Sequence, residues 1–151
     1  MAGNGKSDWT VSGALATETS IHATVWALGV SLEEELFIGD YPNIVYYVNK
    51  AGRISKVAGT AWAGFTGDGG PAISARISDP SGLAVTSSGD VIMADIGNNR
   101  IRKFRVNGTI ETIAGTGDSI LNTGCGVAFS TTVTSPRSVA FAVNGDMLIA
   151  E

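Results

Sequence analysis

Asp40, Asp95 and Glu151 recur at intervals of 55 and 56 residues (95 − 40 and 151 − 95), each just after a short apolar run. Carboxylates repeated at equivalent places would suit a hard cation or a polar partner. They would equally shape the turn that follows, because an Asp side chain bonds backbone groups just ahead of it. Recurrence in every copy favours the turn-shaping role. Asn98, Asn99 and Arg100 follow closely on Asp95. They offer amides and a guanidinium for recognition, or turn geometry with Arg100 paired to an acidic rim residue. Arg100, Arg102, Lys103 and Arg105 form the one basic cluster, a candidate surface for RNA or an acidic protein. The plainer reading is a solvated outer strand whose charge discourages edge pairing. Neither feature is continuous, since the first copy has Asn43-Ile44-Val45 and Tyr46-Tyr47-Val48 at those places.

Other chemistries are excluded or disfavoured. His22 is the only histidine, so a multi-histidine metal site within the chain is impossible, and no GxSxG nucleophile motif accompanies it. Gly67-Asp68-Gly69-Gly70 looks like a phosphate-cradling loop, but Pro71 and Ala72 stand where a P-loop needs Lys and Ser or Thr. Cys125 is the single cysteine, which rules out an intrachain disulfide and reads as an incidental thiol. No catalytic residue, cofactor or metal ligand is therefore assigned. A net charge of −4 argues against a broad polyanion-binding surface. Trp9 and Trp62 fall in connectors as modest contact candidates, out of register with Trp26. Glu33-Glu34-Glu35 reads as a solvated hairpin tip. Ile21 to Leu32 is too short and polar to span a bilayer, so no membrane insertion is expected, and the residues after Met1 do not read as a signal peptide.

The elements that position these residues come from a repeat. AGNG begins at Ala2, AGTA at Ala58 and AGTG at Ala114. The second and third copies stay in register from Ile77 and Val133 through VIMAD (Val91 to Asp95) and MLIAE (Met147 to Glu151). The first copy lacks one residue in the turn after Asp40, where DYPNIV replaces DIGNNRI.

In the second copy, Gly82 to Thr86, Val91 to Ala94, Arg100 to Val106 and Thr109 to Ala114 read as four strands. Ser87 to Asp90 and Ile96 to Asn99 are turns, and Asn107-Gly108 signals a tight hairpin. The first two strands are apolar on both faces, and the third is charged. That gradient suits an all-β propeller blade, inner strands between neighbours and outer strands toward water. After Gly69-Gly70-Pro71, the stretch Ala72 to Ile77 predicts one helical turn, with Ile73 and Ile77 spaced to share a face.

These strings resemble the NHL repeat family. AGFTGDGGPAISARISDPSGLAV, SSGDVIMADIGNNRIRKF and GTIETIAGTG look like its connector and first strand, its middle hairpin and its closing strand. The resemblance implies blades of four antiparallel strands, about two and a half of them. Blades are expected at 25–58 and 80–115, connectors at 2–24, 58–79 and 116–135, and a half blade at 136–151. It implies a binding scaffold with a protein partner foremost and RNA second, and alternatively part of a lyase or lactonase-like propeller enzyme. Uncovered sheet faces predict either a segment of a longer protein or a homo-oligomer that completes a ring.

Overall fold

The structure is a computed structural model that describes residues 13–21, 24–119 and 128–151. Two four-stranded antiparallel sheets and one two-stranded sheet follow in chain order. The first blade is β1 (Val25–Val30), β2 (Leu36–Asp40), β3 (Ile44–Val48) and β4 (Ile54–Ala58). The second is β5 (Pro80–Val85), β6 (Val91–Asp95), β7 (Arg100–Phe104) and β8 (Ile110–Ala114). The third sheet is β9 (Ser138–Phe141) with β10 (Met147–Ala150). Each strand pairs with the next, so every sheet is a meander. The repeat extends to irregularities: β1 and β5 shift register at Val25/Ala27 and Pro80/Gly82, β3 and β7 at Val45/Tyr46 and Ile101/Arg102.

The missing residue of the first copy lies where expected. Residues 41–43 join β2 to β3, whereas residues 96–99 join β6 to β7 and include a 3-10 turn at Ile96–Asn98. The loop absorbs the change because both flanking strands keep their pairing.

Two local expectations are corrected. Asn107 takes a left-handed φ of 58° but Gly108 does not, and Gly108 N–H donates to the Arg105 carbonyl at 2.9 Å. The turn therefore centres one residue early, and β7 ends at Phe104 instead of Val106. The helical turn is a 3-10 turn limited to Ala72–Ser74. The turn buries Ala72, and Ala75 and Ile77 beyond it are buried too while Ile73 faces solvent, because the chain is already extended at Ala75 and the helical spacing no longer applies.

The sheets stack face to face, β1 against β5 and β5 against β9. Each sheet has a leading face toward the preceding sheet and a trailing face toward the following one. Between blades one and two, Phe37, Val45 and Val57 meet Leu83, Met93, Phe104 and Ile110, with Ala72, Ala75 and Ile77 wedged among them. Between blade two and the third sheet, Ile92, Ala94 and Ile101 meet Val139, Met147 and Ile149. Burying each large apolar side chain contributes about 1.5–3 kcal/mol. The innermost strands come closer than side chains allow. A Cβ on Gly82 would stand 2.6 Å from the Ser138 Cα, so only glycine fits there.

Candidate functional site

The turns after β2 and β6, together with the connectors, form one rim. There the predicted polar residues lock each connector to two blades. Ser78 N–H donates to Asp95 Oδ1 at 2.7 Å, and Asp79 N–H donates to Asn43 Oδ1 of the preceding blade at 2.9 Å. The arrangement repeats one blade on. Thr134 N–H donates to Glu151 Oε1 at 2.9 Å, and Ser135 N–H donates to Asn99 Oδ1 at 2.8 Å. Asp79 and Ser135 both hold left-handed φ, at 52° and 49°, and so do Asn43 and Asn99, at 58° and 51°. Asparagine tolerates that conformation best among side chains that can also accept a bond. Asp95 and Glu151 of the carboxylate column therefore fasten the incoming connectors. Asp95 makes no capping bond to the backbone of its own turn, and holds that turn through the Asn98 side chain instead.

Behind the second blade's rim lies a buried polar network. Asp95 and Arg102 are both 0% exposed, and Arg102 Nη1 donates to Asp95 Oδ2 at 3.2 Å. Arg102 Nη2 donates to Asp68 Oδ1 at 2.7 Å, and Thr112 Oγ1 donates to Asp68 Oδ2 at 2.7 Å. Asn98 Nδ2 reaches both Asp95 oxygens, at 2.9 and 2.8 Å, and the Gly64 carbonyl at 2.8 Å. Burial pushes the Asp95 carboxyl above its ordinary range, and the bonds from Asn98, Ser78 and Arg102 pull it partly back.

Arg102 thus departs from the solvated-strand reading. The bulge at Ile101/Arg102 and the approach of the 66–68 connector enclose it. Arg100 also has other partners than expected. It donates to the Asn98 and Thr116 carbonyls at 2.9 and 2.5 Å, and its guanidinium lies 3.7 Å above the Phe65 ring centroid. Lys103 and Arg105 do face outward, paired with Glu111 at 2.6 Å and Asp90 at 2.5 Å. Asp40 is buried at the end of β2, opposite Ile44, and Tyr46 stands where Arg102 stands in the second blade. The Asp95–Arg102 pair therefore has no Arg counterpart beside Asp40 in the first blade. Among the described residues, no group of three or more His, Cys, Asp or Glu side chains is placed to hold a metal ion.

The rim also displays aromatic surface. Loop 59–66 carries Trp62, 73% exposed, and Phe65, 40% exposed, near the turn that carries Tyr41. Asn43 Nδ2 donates to the Ala61 carbonyl at 3.4 Å, so turns of both blades hold this loop. Ala61 takes φ of 72°, unusual for alanine, in the residue before Trp62. Trp9, His22 and Cys125 lie outside the described residues. Sequence reasoning missed Phe65 and Asp79, and met Asp68 only as part of a glycine-rich loop. Asp68 and Arg102 are too far apart in the chain for any local pattern to join them, whereas the 56-residue match of Asp79 to Ser135 was available.

Four-stranded meanders stacked with their first strands closest together are the blades of a β-propeller. Residues 78–104 match the NHL repeat, and the chain carries that repeat. Human Teneurin-4 is 38% identical over 111 residues, which is 62% of this chain and 4% of the teneurin. Mouse Teneurin-1 is 34% identical over 110 residues, again 62% of this chain and 4% of the teneurin. Among solved structures, a Bacteroides thetaiotaomicron protein of unknown function superposes with a TM-score of 0.69 at 22% identity, over 93% of this chain and 34% of that one. Virginiamycin B lyase from Staphylococcus aureus superposes with a TM-score of 0.58 at 14% identity, over 100% of this chain and 37% of the lyase. The chain thus spans about a third of these solved structures and a small part of the teneurins. At such identities the solved structures define the fold.

Proposed function

We propose that this array is a protein-binding scaffold whose contact surface is the rim around loop 59–66. The observation that carries the reading is Trp62, a large exposed aromatic on a loop fixed from both blades. A loop whose backbone is already held loses little freedom when a partner covers it, and Trp is enriched among residues that dominate binding energy. Tyr41 and Phe65 extend the apolar area, and Arg100 supplies a cation at its edge.

RNA finds less to hold. Arg102 is enclosed, Lys103 and Arg105 face carboxylates, and the chain carries a net charge of −4. Polyanion binding needs cations free to meet phosphates.

The test is retention of a defined protein from the source cells on the immobilised chain. One discrete protein should be held by the wild type and by Lys103→Glu, and lost with Trp62→Ala, at least tenfold in retained amount. Equal retention by all three chains, or loss with Lys103→Glu alone, overturns the reading.

A further inference from the structure

Two arginines stand beside consecutive residues of the rim loop. Arg76 is exposed, and its stem lies across Gly64, where a Cβ would stand 3.3 Å from the Arg76 Cδ. Its backbone is tied to the same loop, since Arg76 N–H donates to Thr66 Oγ1 at 3.3 Å. Arg100 is half-buried, with its guanidinium over the ring of Phe65. The two cations reach the loop from different elements, Arg76 from the stretch that leads into β5 and Arg100 from the start of β7.

Lys50, Arg102, Lys103 and Arg105 each face a carboxylate at 3.2 Å or less, whereas among the described residues no Asp or Glu forms an ion pair with Arg76 or Arg100. The carboxylates nearby have other partners. Asp68 and Asp95 pair with Arg102, Asp118 accepts from the Thr116 hydroxyl at 2.9 Å, and Asp79 accepts from the Ser78 hydroxyl at 3.5 Å. Arg100 uses one N–H of each Nη on the Asn98 and Thr116 carbonyls, which leaves the rest of its five N–H donors open. The Arg76 guanidinium donates to no described group.

We propose that the rim takes an acidic peptide segment of its partner, whose carboxylates meet Arg76 and Arg100 while an apolar side chain covers Trp62. This partner chemistry rests on the rim reading above and makes it more specific. Charge complementarity carries it: two guanidinium groups without carboxylates reverse the local sign on a chain of net charge −4. The planar fork of a guanidinium matches a carboxylate. Arg100 rests on a ring and is partly withdrawn from water, so a carboxylate gains more there than on an open surface. RNA fits less well. Arg100 already covers the Phe65 face on which a base would stack, and two cations are few for a polyanion.

The probe is a phage-displayed library of random short peptides, selected on the immobilised full chain. Recovered peptides should hold an excess of Asp and Glu over the unselected library, together with an apolar residue. The strongest of them, synthesised and labelled, should bind Trp62→Ala and Arg76→Glu each about tenfold more weakly than the wild type, and lose affinity in high salt. Arg76→Glu should keep the wild-type circular dichroism spectrum, because the side chain is exposed and has no partner in the fold. The same peptide with Asn and Gln in place of Asp and Glu should bind as weakly as the acidic peptide binds Arg76→Glu. Peptides that need Trp62 but show no excess of acid, or that bind Arg76→Glu as well as the wild type, overturn the acidic partner and leave the rim reading standing. Peptides indifferent to Trp62→Ala, or no enrichment at all, overturn both. Tighter binding of labelled oligouridine than of the acidic peptide overturns the proposal in favour of nucleic acid.

Discussion

Asp95 is the residue on which the second blade's polar interior turns. It is fully enclosed, and its partners are Ser78, Asn98 and Arg102. Removing one member of a buried pair costs about 3–5 kcal/mol, because the other charge stays behind without compensation. Asp68 still holds Arg102 at 2.7 Å, so Asp95→Ala should fall at the low end, about 3 kcal/mol. Urea unfolding followed by circular dichroism reads the change. Asp90 makes the opposite kind of contribution. The hydrogen bond from Arg105 holds its carboxyl below the ordinary value of 3.8. A carboxyl lowered on folding stabilises above the unfolded value, and that stability is lost as pH falls through the folded value. Asp90→Asn should therefore shrink the drop in melting temperature between pH 5 and pH 2, measured against the wild type at each pH. An equal drop in both chains would show that the Arg105 pair contributes nothing there.

At the scale of elements, the decisive feature is the double fastening of the two connectors that enter blade two and the third sheet. Residues 78 and 79 are held by Asp95 of their own blade and Asn43 of the preceding one, and residues 134 and 135 by Glu151 and Asn99. The side-chain amides do what a further strand would do at a sheet edge: they satisfy backbone groups where the chain crosses between sheets. Asn99→Ala should cost about 1–3 kcal/mol, from an orphaned Ser135 N–H and from alanine forced to a left-handed φ. The loss should show most in amide exchange around β9, faster than in β5 and β6. The strands themselves were legible in the sequence, since runs such as Val91 to Ala94 between glycine-bearing turns leave few alternatives. The charged β7 was legible only in part. Lys103 faces outward on the strand and Arg105 just beyond its end, but Arg102 is enclosed by a connector that no local pattern reports.

Across the whole molecule, stability depends on how closely successive sheets stack. Gly82 sits where the Ser138 backbone crosses at a distance no Cβ tolerates. Gly82→Val should separate blade two from the third sheet and cost about 1–3 kcal/mol or more, as overpacked interiors do. Near-ultraviolet circular dichroism and thermal melting would register it, while each sheet's own pairing should persist in the far-ultraviolet signal. Unchanged melting would mean that the third sheet does not pack as described. The rim loop also belongs to this scale, because turns of both blades hold it.

The sequence by itself determined the repeat, the four-stranded meander, the site of the one-residue deletion and the absence of a multi-histidine metal centre. These are carried by composition, by periods within a copy and by the match between copies. Only the tertiary structure decided that Asp95 and Arg102 are interior, that Asn43 and Asn99 join blades, and that Trp62 stands out on a fixed loop. Those outcomes depend on which connector lies over which strand. Such long-range packing is set by the stacking of sheets, and no local spacing encodes it.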